Sequence, residues 1–141
     1  MADAENRLKV RLVTPDRILV DGEAFAVELP SRSGCLEVLY GHAPLLAELG
    51  VGWVKLRGLS GQDSQEYLVA WGFVEVLPDR VTILTPTVDK PGETDHAEAE
   101  SRLESGRKLW NEAGEDPAKY EEANAIIHEA EVKLEAAGRG A

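Results

Sequence analysis

Few side chains in this sequence are spaced for chemistry. Cys35, with His42 seven residues later, offers a thiol and an imidazole, the two parts of a nucleophile and its base. No nearby residue supplies the third member that would orient the ring, and a single cysteine is often just a small apolar side chain. His128-Glu129 begins as a metalloprotease helix begins, but Val132 stands where the second histidine is required. His42, His96 and His128 are widely separated, so no metal-ligand spacing occurs and no metal is expected. No glycine-rich loop ends in Gly-Lys-Ser/Thr, so nothing cradles a phosphate. Asp95 and Glu98 fit a helix cap better than an acid/base pair. Glu129, Glu131 and Glu135 read as a solvated helix face.

One segment stands apart. Leu39-Tyr40-Gly41-His42-Ala43-Pro44-Leu45-Leu46 sets Gly, His and Pro directly before an apolar pair. It reads either as a surface turn with a solvated His42 or as a rigid loop that presents His42 to a partner.

The chain that must position these residues has 141 residues and a net charge of −11. That length suits one domain or two small ones. The acidity argues against a nucleic-acid surface, which needs clustered Lys and Arg, and against a basic membrane-surface helix. No run of about 18 apolar residues occurs, as a membrane span would need. The single cysteine excludes an internal disulfide framework, and Met1 to Asn6 lack the basic and apolar regions of a signal peptide, so a cytosolic protein is expected. The charge is uneven: residues 1–90 are net −4 and residues 91–141 net −7. Eight of the 13 glycines precede residue 91, and the remaining stretch, 91–141, is rich in Ala and Glu.

Periodicity divides the chain at the same place. Leu8, Val10 and Leu12 alternate as on a half-buried strand. Further short strands are expected at Ile18–Val20, Ala24–Leu29, Leu36–Leu39, Val51–Leu56, Tyr67–Trp71, Phe73–Leu77 and Val81–Leu84. Turns are expected at Thr14-Pro15-Asp16, Asp21-Gly22 and Pro78-Asp79, a strand end at Pro30 and a loop at Gly58–Gly61. Thr85 to Gly92 reads as a linker. Beyond it, Asp95 with Glu98 predicts a capping box. Ala99, Leu103, Gly106, Trp110 and Ala113 then step at helical spacing until Gly114. Asp116 and Pro117 open a second helix, with Tyr120, Ala123, Ile127, Ala130, Leu134 and Ala137 on one stripe. The expected fold is α+β: an N-terminal antiparallel β-sandwich over residues 1–89, then an antiparallel two-helix hairpin over residues 90–141. Its alanine-rich seam allows close approach but buries little area.

Taken together, Gly41 to Leu46, Gly72-Phe73-Val74-Glu75-Val76, Val81-Thr82-Ile83-Leu84 and the Ala-rich hairpin resemble the epsilon subunit of bacterial F-type ATP synthase. The resemblance spans nearly the whole chain. It implies a flattened barrel of about ten strands and a non-catalytic subunit of the rotating central stalk. Such a subunit sits between the gamma subunit and the c-ring and couples ring rotation to the stalk. Its hairpin folds back or extends toward the catalytic alpha and beta subunits, where it restrains ATP hydrolysis. On this resemblance Gly41, His42, Ala43 and Pro44 face the c-ring, and Cys35 and Glu37 lie on the same face. Tyr40 stands where the family commonly has proline, and supplies an aromatic contact instead. The hairpin's regulatory residues become Leu103, Trp110, Ile126, Ile127 and Leu134, with Ile126, Ile127 and Leu134 acting as an apolar wedge because the arm is acidic. The family's ATP-binding motif has arginine where this chain has Glu98, so weak or absent ATP binding and no cofactor are expected. The implied location is peripheral, on the cytoplasmic face of the bacterial inner membrane, reached only through partners. Two other readings are a free-standing β-sandwich adaptor with a helical docking arm and a small hydrolase using Cys35 and His42.

Overall fold

The computed structural model describes residues 6–61 and 64–139, the last of these by its backbone alone. The residues on which the signal-peptide reading chiefly rests, Met1 to Glu5, lie outside that range. The chain forms two compact units that divide between Val88 and Asp89.

The first unit is a sandwich of two five-stranded sheets. Its strands are β1 (Leu8–Val13), β2 (Ile18–Ala24), β3 (Ala26–Ser31), β4 (Gly34–Leu39), β5 (Leu45–Glu48), β6 (Val51–Arg57), β7 (Gln65–Ala70), β8 (Phe73–Leu77), β9 (Arg80–Leu84) and β10 (Thr87–Asp89). One sheet runs β2-β1-β9-β8-β5 and the other β10-β7-β6-β3-β4. Only β1 with β9 is parallel among the described pairs. The alternation on β1 holds: Leu8, Val10 and Leu12 are buried while Lys9 and Arg11 are exposed. They pack with Val74, Val76 and Ile83 of their own sheet against Val27, Leu29, Val54 and Leu56 of the other. Inward-facing β-branched and leucine side chains from both sheets thus form one apolar core.

Four local expectations are corrected. Asp21-Gly22 is not a turn: β2 continues through it, with Asp21 opposite Arg11 and Gly22 opposite Val10. The ladder and the Arg11–Asp21 ion pair at 3.7 Å outweigh the local turn preference. A Cβ at Gly22 would lie 2.8 Å from Ser60 Oγ, so the Ser60 side chain would have to turn aside. Pro30 does not stop its strand but lies inside β3, opposite Cys35. Its carbonyl accepts the Gly50 N–H at 2.8 Å, on the flank where β6 pairs with β3 only as far as Glu28. Pro30's missing N–H therefore leaves no ladder partner short. Trp71 falls outside β7, turned off by a φ of 65°. The linker contains β10, an edge strand beside β7. The buried Thr85 hydroxyl lies 3.2 Å from the carbonyl oxygens of both Ala70 and Thr87 and holds that strand's approach. Strand β5 has no counterpart among the expected strands.

The second unit is the helical hairpin: α1 (His96–Asn111) and α2 (Pro117–Arg139). Asp95 Oδ1 accepts the Glu98 N–H at 3.2 Å, one half of the expected capping box. Gly114 takes a φ of 63° in the turn. Asp116 Oδ1 caps α2 through the Ala118 N–H at 3.0 Å. The seam buries Ala99, Gly106, Ala113, Ala123, Ala130 and Ala136. Ala136, not Ala137, closes the stripe, and Trp110 is 45% exposed. Gly106 marks the closest approach, since an added Cβ would meet Ile127 Cγ1 at 2.8 Å and Ile126 Cγ2 at 3.0 Å.

Candidate partner interface

The residues singled out in the sandwich lie on and after β4, the edge of its sheet. Alternation points Val38 into the core and leaves Cys35, Glu37 and Leu39 exposed. Glu37 is directly opposite Glu28 on β3, a like-charge pair. Arg57 from β6 relieves it: its guanidinium pairs with Glu28 and lies 3.9 Å from Glu37. The cluster is mostly solvated, so each pair contributes on the order of 1 kcal/mol or less. Its main consequence is orientation, because Glu37 is already drawn toward a cation of its own chain.

The next residues form a pinned turn. His42 N–H donates to the Leu39 carbonyl at 3.1 Å, which closes a turn over Leu39 to His42. Gly41 occupies its third position with φ 89°, a value that suits a type II turn and favours glycine. Tyr40 takes the second position, where proline is favoured but not required. Gly41 N–H donates to Pro78 O at 2.7 Å, which ties the turn to the β8–β9 connection of the other sheet. His42 Nδ1 lies 2.7 Å from Ala43 O. A carbonyl can only accept, so Nδ1 carries a proton in this arrangement. Ala43 and Pro44 are exposed, and the chain then enters β5, the edge of the first sheet. The loop therefore joins the free edges of both sheets. Around it Leu39, Tyr40, Leu45 and Leu46 are exposed, Leu46 by 72%. Exposed large apolar side chains of this kind are a mark of interaction surfaces.

The structure does not assemble Cys35 and His42 as nucleophile and base. The Cys35 thiol is free and exposed near the start of β4, and the extended strand from Cys35 to Leu39 spans roughly 13 Å before the turn that carries His42. Among the described residues no group of three or more His, Cys, Asp or Glu could hold a metal ion. No helix there is long and apolar enough to cross a membrane.

A second surface was invisible in the sequence. Ile18, Val13, Leu84 and Phe73 are consecutive partners across β2, β1, β9 and β8. Ile18, Leu84 and Phe73 are each about half exposed. Val13, Leu84 and Phe73 of this row, with Pro15 and Pro86, border an open groove of about 400 Å³. It lies at the Phe73 end of β8, whereas the loop is tied to Pro78 at the other end, roughly 17 Å away at strand spacing. The signal was available only through register, because each strand contributes a single residue.

In the hairpin, Leu103 and Leu134 are half-buried and line an open groove with Glu100, Glu104 and Arg107. Ile126 and Ile127 are half-buried against Gly106. Trp110 meets Tyr120 edge-on, with ring centroids 5.2 Å apart. Glu98 sits in the first turn of α1, exposed to solvent.

The family described as ATP synthase, delta/epsilon chain, β-sandwich domain matches residues 7–91. The ATP synthase epsilon chain of Solibacter usitatus is 39% identical over 134 residues, covering 94% of this chain and 96% of that one. The ATP synthase epsilon chain of Koribacter versatilis is 37% identical over 116 residues, covering 81% and 77%. A chain in a cryo-EM structure of the Euglena gracilis mitochondrial ATP synthase, OSCP/F1/c-ring, superposes with a TM-score of 0.75 at 22% identity, covering 96% of this chain and 84% of that one. At that identity the likeness concerns the fold.

Proposed function

This chain belongs to the ATP synthase epsilon chain family, and from that premise we propose that its sandwich is a non-catalytic coupling piece of the central stalk. The reading needs two separate faces, one for the c-ring and one for the gamma subunit. The pinned loop Tyr40 to Pro44, with Cys35 and Glu37 beside it, is the ring-facing surface. The apolar row of Ile18, Val13, Leu84 and Phe73, at the other end of β8, is the surface assigned to gamma. A piece that transmits torque must hold its contacts rigidly. The observation that carries the reading is the Gly41 N–H bond to Pro78 O, which fastens the loop to the opposite sheet. The contacts it offers are shape and a few polar groups rather than reacting atoms.

The hairpin is read as a mobile regulatory arm that restrains ATP hydrolysis by reaching the alpha and beta subunits. Support lies in its thin alanine seam and in Ile126, Ile127 and Leu134, which are only half-buried. Glu98 puts a carboxylate where the related ATP-binding motif has a cation, so ATP is not assigned to the arm. The chain sits at the cytoplasmic face of the membrane through its partners.

The test uses Cys35 as the sole native thiol. In the assembled synthase a short thiol–photoreactive linker on Cys35 is expected to yield an adduct with the c subunit; adducts only with other chains would reject the ring-facing assignment. Removing residues 91–141 and measuring hydrolysis tests the arm. Unchanged hydrolysis would reject the restraint.

A further inference from the structure

The contacts along the hairpin seam are unequal. At the open end the buried residues are Ala99 and Ala136; Leu103 and Leu134 border an open groove of about 670 Å³ that runs along α1 as far as Glu112. In the middle, Gly106 receives Ile126 and Ile127, and Arg102 lies 4.0 Å from Glu129. At the turn the contacts are larger and more directional. Trp110 packs edge-on against Tyr120 at an interplanar angle of 71°. The Tyr120 hydroxyl reaches back across the turn and donates to Gly114 O at 2.7 Å. The side chain of Asp116 closes the first turn of α2 beneath it.

We infer that Trp110, Tyr120 and Gly114 form a pivot that keeps the turn shut, so that α2 peels from α1 starting at Ala136 rather than at the turn. Aromatic edge contacts and a directional hydrogen bond resist separation where alanine contacts do not. Peeling in this order frees Leu134 before Ile127 and Ile126, and so orders the residues offered to a partner. The inference rests on the reading of the arm as mobile, and it concerns how the arm moves rather than what it inhibits.

Amide hydrogen exchange on the full chain alone tests it. Amides of residues 99–103 and 132–136 are expected to exchange faster than those of 107–110 and 120–127. Helix ends fray in any case, so the decisive comparison is Tyr120→Phe, which removes only the hydroxyl. It is expected to speed exchange at 107–110 and 120–124 by about five-fold and to leave 132–136 unchanged. Trp110→Leu should act at the same amides. Acceleration spread evenly over both helices, or none at 120–124 in either variant, overturns the pivot. Because no hydrolysis is measured, a negative result here leaves the truncation test of inhibition standing on its own.

Discussion

Gly72 lies directly against the Leu84 carbonyl: a Cβ built on Gly72 would come within 2.0 Å of that oxygen and 2.9 Å of Thr85 Cα. The same residue has φ 111° and its carbonyl accepts the Leu49 N–H at 2.9 Å. It is the corner at which the chain leaves β7 in one sheet and starts β8 in the other. Gly72→Ala therefore meets backbone rather than a movable side chain. The expected cost is roughly 3 kcal/mol or more, read by urea denaturation of the full chain. A loss below about 1 kcal/mol would show that the corner can relax.

Nδ1 of His42 should carry a proton, because it faces a carbonyl at 2.7 Å. Nitrogen chemical shifts of the ring in the isolated chain check this directly. A dominant Nε2–H form would mean that the loop is arranged differently around Ala43.

Gly106→Ala sets two effects against each other. Alanine favours a helix interior by roughly 0.5–1 kcal/mol. The new methyl must displace Ile127 and Ile126, which lie at 2.8 and 3.0 Å. Overpacking costs typically about 1–3 kcal/mol, so the net change is destabilising by about 1 kcal/mol. Thermal loss of helical circular dichroism should move to lower temperature; a rise would show that the isoleucines yield freely.

Burial raises the pKa of Tyr67 above its usual 10. Its neutral form is thus favoured in the folded chain. The corresponding stability is fully present below about pH 10 and is lost as pH rises through the raised value. Tyr67→Phe should flatten that alkaline decline, measured as denaturation midpoints between about pH 9 and 11. An unchanged alkaline slope would assign the decline to other groups.

Much of the architecture was legible where side chains alternate strictly, as at Leu8, Val10 and Leu12, or where caps are chemically distinct, as at Asp95 and Asp116-Pro117. Asp21-Gly22 misled because a turn preference is local, while the pairing with Arg11 and Val10 comes from a distant part of the ladder. Leu45 to Glu48 escaped notice because an edge strand with exposed Leu45 and Leu46 shows no half-buried alternation. The loop from Tyr40 to Pro44 stood out through its Gly, His and Pro, but its tie to Pro78 did not. The row Ile18, Val13, Leu84 and Phe73 exists only through register, and no stretch of the chain contains it.

The parallel pairing of β1 with β9 also has a consequence during synthesis. β1 lies between β2 and β9, so it has one edge that only residues 80–84, made much later, can satisfy. Until Leu84 has emerged from the ribosome, the hairpin of β1 and β2 carries an unpaired apolar edge, open to association with other nascent chains. Residues 8–24 should therefore be the stretch most dependent on holding chaperones, and a stall placed before residue 80 should leave them sensitive to protease.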